Sequence, residues 1–477
     1  MPQATIFRGT VVPTVMTEHG RDAHATFTAI NHLPFRGETM ARQERTTHNQ
    51  HHRRHFLQAG AALLGGLTLP DLLRLRAYST PSGQTPEDTA VIFVFMGGGP
   101  SHFETYDPKP NAPEEYRGPM RPISTNVPGI QVCELFPQQA RRMDKLAIVR
   151  SIHHREASHI AMHMVETGYF LRSSANARQG EMPAVGSVVA RMRGGNHPDI
   201  PAFVSLPKPF AYTNPHYLGS AYQYFGVSDD PAATDFRVNN LALHRYLTPE
   251  RLEDRRELRE MFDDHRRIVD LHNDADALDE FQQQAFSLVT GERARTAFDI
   301  AAEDPRLRDR YGRNTFGQRL LLARRLAESG VPFIVVRSNG WDDHQQLEEK
   351  MRQRCPEFDT GISALIDDLH DRGLNRKVLI VGMGEFGRTP RFNGQAGRDH
   401  WPSIMSVMLS GGNYRNGIVV GASDSRGATA HEAPYKPQSV LAMVYRHLGI
   451  DPGRTFPDYS GRPRYILEDR EPIRELL

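Results

Sequence analysis

Three short polar segments in the C-terminal part of the chain carry acidic, imidazole and guanidinium groups at close spacing. They cover residues 340–344 (GWDDH), 384–390 (GEFGRTP) and 397–402 (GRDHWP). The first two follow apolar segments, 332–337 and 377–382, which are typical of buried strands. Open α/β sheets place their sites at the carboxyl ends of strands, so we expect these side chains to meet there.

A first set of oxygen and nitrogen ligands consists of Asp342, His344 and His400. Asp342 and His344 lie two residues apart, so an extended backbone directs both side chains to the same side. With His400 they would form the ligand set of an open metal site, which leaves a position for water or substrate. We predict a divalent cation here: zinc, manganese, calcium or magnesium. Each residue taken alone is also compatible with a solvated or structural side chain.

Glu385 and Arg388 lie in a tight loop that contains Gly387 and Pro390. Glu385 can bind a cation, form a hydrogen bond to a ligand imidazole or act as a general base. Arg388 presents a planar fork that suits phosphate or sulfate, which predicts substrate binding. We assign catalytic roles to both residues. An ion pair between them that clamps the turn is the structural alternative.

Two further segments combine serine and histidine. A glycine-rich segment follows the predicted strand 89–96 and ends in Ser101 and His102, which are predicted to bind substrate. This segment lacks the Gly-Lys-Ser/Thr ending of a P-loop, and a simple turn is the alternative. Ser158 and His159 begin a predicted helix, where the helix field favours a bound anion. Ser158 is also a good helix cap, and the cap is the favoured interpretation from the residues alone.

Composition excludes several classes of protein. The 477 residues include 58 Lys+Arg and 57 Asp+Glu, so no net field favours nucleic acid. A hydrophobic content of 39% is enough for a sizeable core. Two cysteines, Cys133 and Cys355, are too few for a disulfide scaffold and too far apart for a metal-type pair.

The N-terminus carries a predicted export signal. Arg53 and Arg54 precede a short apolar run, 61–69, as in twin-arginine signals. The run is too short for the ~20 residues of a transmembrane helix, so no transmembrane span is predicted. We expect a disordered lead over 1–52 and a signal with its connector over 53–88. The twin-arginine translocase would be a partner, and the protein would be periplasmic or extracytoplasmic.

Apolar runs alternate with amphipathic segments over the rest of the chain. This order predicts an α/β protein, a three-layer α/β/α sandwich with a mostly parallel central sheet. We expect one domain over 89–470, with a charged helical excursion at about 248–303 that forms an insertion.

Taken as a set, the motifs resemble the bacterial exported family called domain of unknown function 1501. The matching segments lie at 53–57, 69–73, 98–102, 105–109, 144–151, 167–168, 311–312, 322–326, 340–342, 384–390 and 397–402. That family is similar to the alkaline phosphatase and sulfatase superfamily. The resemblance implies that fold and an exported metal-dependent hydrolase, which acts on phosphate or sulfate esters of small molecules or polysaccharides.

The resemblance also assigns roles to individual residues. Asp342, His344 and His400 match the three ligands of the superfamily's first metal, and Ser158 lies where sulfatases place the nucleophile. The second metal site departs from the pattern, since Phe386 stands where a histidine is expected and glycines replace the acid after the first strand. The alternative is therefore a non-catalytic exported binding or assembly protein on a degenerate phosphatase-like scaffold.

Overall fold

The computed structural model describes residues 88–171, 181–207, 213–238 and 291–477. The expectations for the lead, for the export signal and for residues 248–290 of the helical excursion lie outside these ranges. Residues 292–298 and 300–302, the end of that predicted excursion, form one α-helix and one turn of 3-10 helix.

A sheet of eight strands lies at the centre of the part of the chain that the structure describes. The strands are β1 Ala90–Gly97, β4 Ala147–Ile152, β5 Phe203–Leu206, β6 Phe225–Gly226, β7 Phe333–Asn339, β8 Val378–Met383, β11 Met405–Gly411 and β12 Ile418–Val420. Their order in the sheet is β12-β4-β11-β8-β1-β7-β5-β6. The pairings of β1 with β7 and β8, of β5 with β6 and β7, and of β4 with β12 are parallel, whereas β11 runs antiparallel to both of its neighbours.

Among the described residues, the other strands are β2 Pro122–Ser124, β3 Gln131–Cys133, β9 Gly387–Arg388, β10 His400–Trp401, β13 Ala422–Ser423, β14 Ala430–Glu432, β15 Thr455–Pro457 and β16 Pro463–Tyr465. They form short two-stranded antiparallel ribbons: β2–β3, β9–β10, β13–β14 and β15–β16.

Nine α-helices surround the sheet in the described part of the chain. They are α1 Glu114–Arg117, α2 Pro137–Ala140, α3 Ala161–Thr167, α4 Val185–Arg193, α5 Glu292–Phe298, α6 Pro305–Tyr311, α7 Thr315–Glu328, α8 Leu347–Asp371 and α9 Pro437–His447. None of the described helices has both the length and the apolar composition needed to cross a bilayer.

Strand β1 shows why both faces of the sheet are covered. All eight of its residues are buried, and alternate side chains enter different cores. Ile92 and Val94 pack with apolar residues of α7 and α8, whereas Val91 and Phe93 pack with those of α3, α4 and α9. The predicted three-layer α/β/α fold with a mostly parallel sheet is confirmed.

The register of the three central strands brings their carboxyl ends together. In the ladder, Gly97 at the end of β1 pairs with Asn339 at the end of β7, and Phe95 pairs with Met383 at the end of β8. The segments that follow β1, β7 and β8 therefore leave the same edge of the sheet side by side. These are the segments that carry the polar motifs.

Candidate metal centre

Close backbone packing fixes the loop after β7 against the loop after β1. Trp341 donates its backbone N–H to the carbonyl of Gly97 at 3.1 Å. Gly98 has a φ of 117°, and a Cβ at this position would lie 2.4 Å from the backbone nitrogen of Asp342. Only glycine fits such an approach, so the glycine after the first strand is a packing requirement that positions Asp342.

Three imidazole rings converge on the carboxylate of Asp342. Oδ1 lies 3.1 Å from Nε2 of His344 and 3.1 Å from Nε2 of His400, and Oδ2 lies 3.3 Å from Nε2 of His159. The Nε2 atoms of His344 and His400 are 3.0 Å apart. The sequence-predicted trio therefore comes together, although its members lie 58 positions apart at most. His159, predicted to bind substrate, joins the same cluster.

The other ring nitrogen of each of these histidines, Nδ1, also forms a hydrogen bond. The three Nδ1 atoms donate to oxygen atoms that can only accept: Glu385 Oε1 for His159 at 2.8 Å, Asp399 Oδ1 for His344 at 2.7 Å and the carbonyl of Ala157 for His400 at 2.8 Å. Nδ1 must then carry the proton, and in a neutral ring Nε2 is left with its lone pair. All three lone pairs are directed at one carboxylate.

This arrangement suits a cation. Nitrogen lone pairs that lie 3.1–3.3 Å from a carboxylate oxygen are repelled by it unless a proton or a metal ion lies among them. Ligand atoms about 2.1 Å from one tetrahedral ion are separated by about 3.4 Å, close to the spacing found here. Nitrogen and oxygen ligands with hydrogen-bonded rings are typical of zinc and related divalent ions. The ring nitrogens of His159 and His400 and the Asp342 carboxylate lie within 4.8 Å of one another. His344 is not part of that group of three, but its Nε2 atom lies close to Asp342 and His400.

Arg388 lies beneath the cluster and is fully buried. Its guanidinium donates to Asp342 Oδ1 at 2.6 Å and also to the carbonyls of Gly98, Gly99, Trp341 and Arg398. Burial alone would raise the pKa of the Asp342 carboxyl, but the Arg388 hydrogen bond and charge outweigh it and hold the pKa well below its usual range. A substrate-binding role for Arg388 is not retained, because its donors serve the chain itself.

Glu385 is also fully buried and stands behind His159. Its two carboxylate oxygens accept the backbone N–H of Gly98 at 3.0 and 3.1 Å. The hydrogen bond to Glu385 raises the pKa of His159, whereas burial lowers the pKa of His400. Of the roles predicted for Glu385, hydrogen bonding to a ligand imidazole is the one this geometry favours, since its oxygens are occupied by donors.

Ser158, the predicted nucleophile, is exposed and lies between two residues of the centre, Ala157 and His159. Its hydroxyl donates to Glu156 Oε1 at 2.6 Å, and its backbone N–H donates to the same oxygen at 2.9 Å. The cap interpretation is wrong: α3 begins at Ala161, after an N-cap residue that makes no side-chain cap hydrogen bond.

The two substrate-binding candidates after β1 point elsewhere. Ser101 donates its hydroxyl to Glu104, and His102 donates Nε2–H to the carbonyl of Gly427 at 2.8 Å. Both are buried, and burial lowers the pKa of His102 to about 4. A substrate-binding role is not retained for them, because Ser101 is committed to Glu104 and His102 has no exposed surface.

Phe386 occupies the position where the resemblance would place a second-site histidine. Its ring is buried and packs against His400 and His159, with ring centroids 4.3 and 5.4 Å away. An apolar ring cannot bind a cation as a ligand, so the described residues supply one nitrogen-rich centre and no second one at this position. The ring instead fixes the orientation of two imidazoles.

Two acidic residues at the centre were not assigned from the sequence. Asp399 holds His344, and Glu156 accepts the hydroxyl proton of Ser158. Asp399 could have been suspected because it precedes His400 directly, but it serves a histidine 55 positions away. The only sequence feature that could have indicated a role for Glu156 is its position two residues before Ser158.

Three solved structures align with most of this chain at low sequence identity. A sulfatase from Pseudoalteromonas sp. aligns with 80% of this chain and 70% of its own, at 11% identity and a TM-score of 0.34. The lipoteichoic acid synthase LtaP from Listeria monocytogenes aligns over 80% and 78%, at 9% identity and 0.34. A TAB5 alkaline phosphatase variant with bound Mg aligns over 77% and 99%, at 12% identity and 0.33. Scores this low carry no functional argument.

Comparison at the level of sequence families gives a clear result. No curated protein matches the chain in sequence. The family described as "Protein of unknown function (DUF1501)" matches residues 88–477, which is most of the chain and includes every residue of the metal centre. The predicted family resemblance is thereby confirmed, and the chain belongs to the DUF1501 family.

Proposed function

We propose that this protein is a metal-dependent hydrolase of phosphate or sulfate esters. The observation that carries the proposal is the convergence of three imidazole Nε2 atoms on the Asp342 carboxylate, with every Nδ1 held by an acceptor. Asp342, His344, His400 and His159 would hold one divalent cation. Such an ion, when bound, acts as a Lewis acid that polarises an ester oxygen.

The residues beside the centre supply a nucleophile and a base. Ser158 Oγ would attack the phosphorus or sulfur atom while Glu156 accepts the hydroxyl proton along the existing 2.6 Å hydrogen bond. The bond from Ser158 Oγ to phosphorus or sulfur forms, the ester bond to the alcohol breaks, and the departing alkoxide takes a proton from solvent. Water then attacks the same phosphorus or sulfur atom and releases a proton to solvent, the bond to Ser158 Oγ breaks, and Glu156 returns its proton to the serine oxygen.

Metal content and turnover test the proposal together. The wild-type protein should bind close to one equivalent of Zn²⁺ or Mn²⁺ and hydrolyse a 4-nitrophenyl phosphate or sulfate ester. His400→Ala should lose both properties, while His431→Ala, an exposed histidine in β14, should keep both. Equal metal content and equal turnover in wild type and His400→Ala would refute the proposal.

Phe386 supports a second candidate, a non-catalytic binding or assembly protein on the same scaffold. Because the apolar ring of Phe386 lies beside the imidazoles, the centre would hold one cation and not the two that the resemblance implies. In this case the wild-type protein would bind the metal ion, and no ester of a broad phosphate and sulfate panel would be turned over. Metal binding without turnover decides between the two functions.

We propose export by the twin-arginine route, on the evidence of Arg53 and Arg54 and the apolar run 61–69. Replacement of both arginines by lysine should retain the protein in the cytoplasm in a fractionation experiment. Unchanged extracytoplasmic recovery would exclude this route. That residues 89–470 form a single domain also remains a prediction.

A further inference from the structure

A second concave site lies at the surface formed by the end of α3 and the β15–β16 ribbon. It is a cavity of about 260 Å³ whose walls include the aromatic rings of Phe170, Tyr217 and Tyr459. None of the residues of the metal centre lines it. This volume is slightly below the roughly 300–1,000 Å³ of clefts for drug-sized ligands, and aromatic walls with a few polar groups are typical of such sites.

Two of these aromatic rings are exposed, and the ring of Tyr459 is held by contacts with its neighbours. Tyr459 is 78% exposed and Phe170 is 45% exposed, which is unusual for large rings. The ring of Tyr459 stands at 88° to that of Tyr217 and at 85° to that of His216, with centroids 6.2 and 5.3 Å apart. Edge-to-face contacts hold these rings as perpendicular walls, so little ordering is needed when a ligand binds.

The turn that carries Tyr459 is rigid for a local reason. Asp458 Oδ1 accepts hydrogen bonds from the backbone N–H of Ser460 at 2.9 Å and from that of Arg462 at 3.1 Å. The backbone N–H of Asp458 also donates to the carbonyl of Arg462 at 2.8 Å. The tip of the ribbon between β15 and β16 therefore presents Tyr459 in a defined position.

The charges of the cavity are balanced. Glu181 and Asp458 contribute two carboxylates to the lining, and Arg462 and Arg464 contribute two guanidinium groups. Such a rim does not select an anion or a cation, but it offers both donors and acceptors to hydroxyl groups. An apolar wall with a rim of this kind matches a sugar ring, which has a C–H face and hydroxyl groups around its edge.

The cavity adjoins the shell of the metal centre. The ring of Phe170 lies 6.5 Å from that of His154, and His154 donates Nε2–H to the carbonyl of Glu385 at 2.7 Å. Glu385 in turn holds His159. Two side chains, those of Phe170 and His154, therefore connect a ligand in the cavity to Glu385.

We propose that this cavity binds a sugar residue of a carbohydrate chain, stacked on Tyr459 and Phe170. The proposal rests on the proposed function for one part only: the carbohydrate would be the carrier of the phosphate or sulfate ester. Sugar binding itself depends on the aromatic walls and on the balanced rim.

Calorimetry with cellohexaose, chitohexaose and a chondroitin sulfate hexasaccharide tests the site. Wild type should bind at least one of them, and Tyr459→Ala should weaken that binding at least about tenfold. Tyr459→Phe keeps the ring and should keep the affinity within about threefold, which shows that the turn still folds. Tyr465→Ala removes an exposed tyrosine outside the lining and should change affinity less than about twofold.

The results separate the two proposals. Absence of binding by wild type, or equal binding by wild type and Tyr459→Ala, would overturn the sugar site whatever the ester turnover. Ring-dependent sugar binding by a protein that holds no metal would support the site and refute only the hydrolase.

Discussion

The Nδ1 atom of His159 lies 2.8 Å from Oε1 of Glu385, across 226 positions of sequence. Glu385 is fixed at the end of β8 by the backbone N–H of Gly98, so it cannot turn away. The bond fixes the ring and the tautomer of His159 and directs Nε2 to Asp342. A buried acid thereby converts an imidazole from a neighbouring loop into a potential metal ligand.

Replacing Glu385 by glutamine should weaken metal binding about 10–100-fold. Gln keeps an acceptor oxygen but loses the charge, so His159 becomes a poorer ligand. Because the Glu385 hydrogen bond is the main cause of the raised His159 pKa, that pKa should fall in the metal-free variant. Chelator competition measures the first effect and NMR titration the second. Glu357→Gln, an exposed change on α8, is the control, and an unchanged His159 pKa would contradict the expectation.

Ser158→Ala should separate metal binding from catalysis. The hydroxyl contacts Glu156 and none of the proposed metal ligands in the described part of the chain, so metal content should equal that of wild type. Ester turnover should fall at least about 100-fold, because the nucleophile is lost. Metal analysis and steady-state assays of one preparation measure both. Wild-type turnover in Ser158→Ala would show that water attacks directly.

Arg388→Lys should destabilise the fold strongly. Lysine cannot reach the four carbonyls and the Asp342 carboxylate that the buried guanidinium connects. We expect a loss of about 2–4 kcal/mol, which corresponds to a fall of roughly 2–5 °C in Tm for a domain of this size. Arg391→Lys, three residues further on and 66% exposed, is the matched control and should shift Tm by less than about 1 °C. Equal shifts in the two variants would contradict the structural role of Arg388.

Substitutions at two glycines with positive φ should distinguish the effect of backbone strain from the effect of close packing. Gly98→Ala would place a methyl group 2.4 Å from the Asp342 nitrogen, whereas at Gly129, with a φ of 85°, nothing lies within 4 Å. Both changes should cost about 1 kcal/mol for the positive φ, and Gly98→Ala should cost about 1–3 kcal/mol more because the methyl group meets backbone atoms. Only Gly98→Ala should also lower metal affinity, as measured by chelator competition. Full metal affinity in Gly98→Ala would mean that the two loops can separate without loss of the centre.

The acid dependence of stability should involve Asp367 on α8. Burial would raise the pKa of this carboxyl, but hydrogen bonds from Arg142, Lys145 and Arg310 outweigh it and lower the pKa. A depressed folded-state pKa stabilises the fold above the usual value near ~4, and this contribution is lost as the pH falls below it. Asp367→Asn should therefore cost about 1–3 kcal/mol at pH 7.

The stability difference between wild type and Asp367→Asn should shrink as the pH is lowered from about 6 to about 2, in thermal scans of both proteins. Asp371→Asn, one turn further on and 62% exposed, is the control with a difference below about 1 kcal/mol. A gap that stays constant or widens in acid would show that the Asp367 charge does not stabilise the fold.

Most of the sheet could be predicted from the sequence, because short continuous apolar runs such as 89–96 and 377–382 are typical of buried strands in an α/β sheet. Their observed bounds, Ala90–Gly97 and Val378–Met383, agree within about two residues. The antiparallel direction of β11 could not be read in this way, because a fully buried strand has the same composition in either direction.

We could predict the family, the α/β order and the proximity of Asp342, His344 and His400 from the amino-acid sequence alone, because the ends of parallel strands share one edge of a sheet. The roles of the neighbouring charged residues became clear only from the packing of the folded chain. Arg388 was expected to face a substrate and Glu385 could have faced the ion, yet both are buried and saturated with hydrogen bonds to the chain. The reason is physical: a charged group acts on whatever lies within a few ångströms of it, and that distance is set by packing between segments remote in sequence.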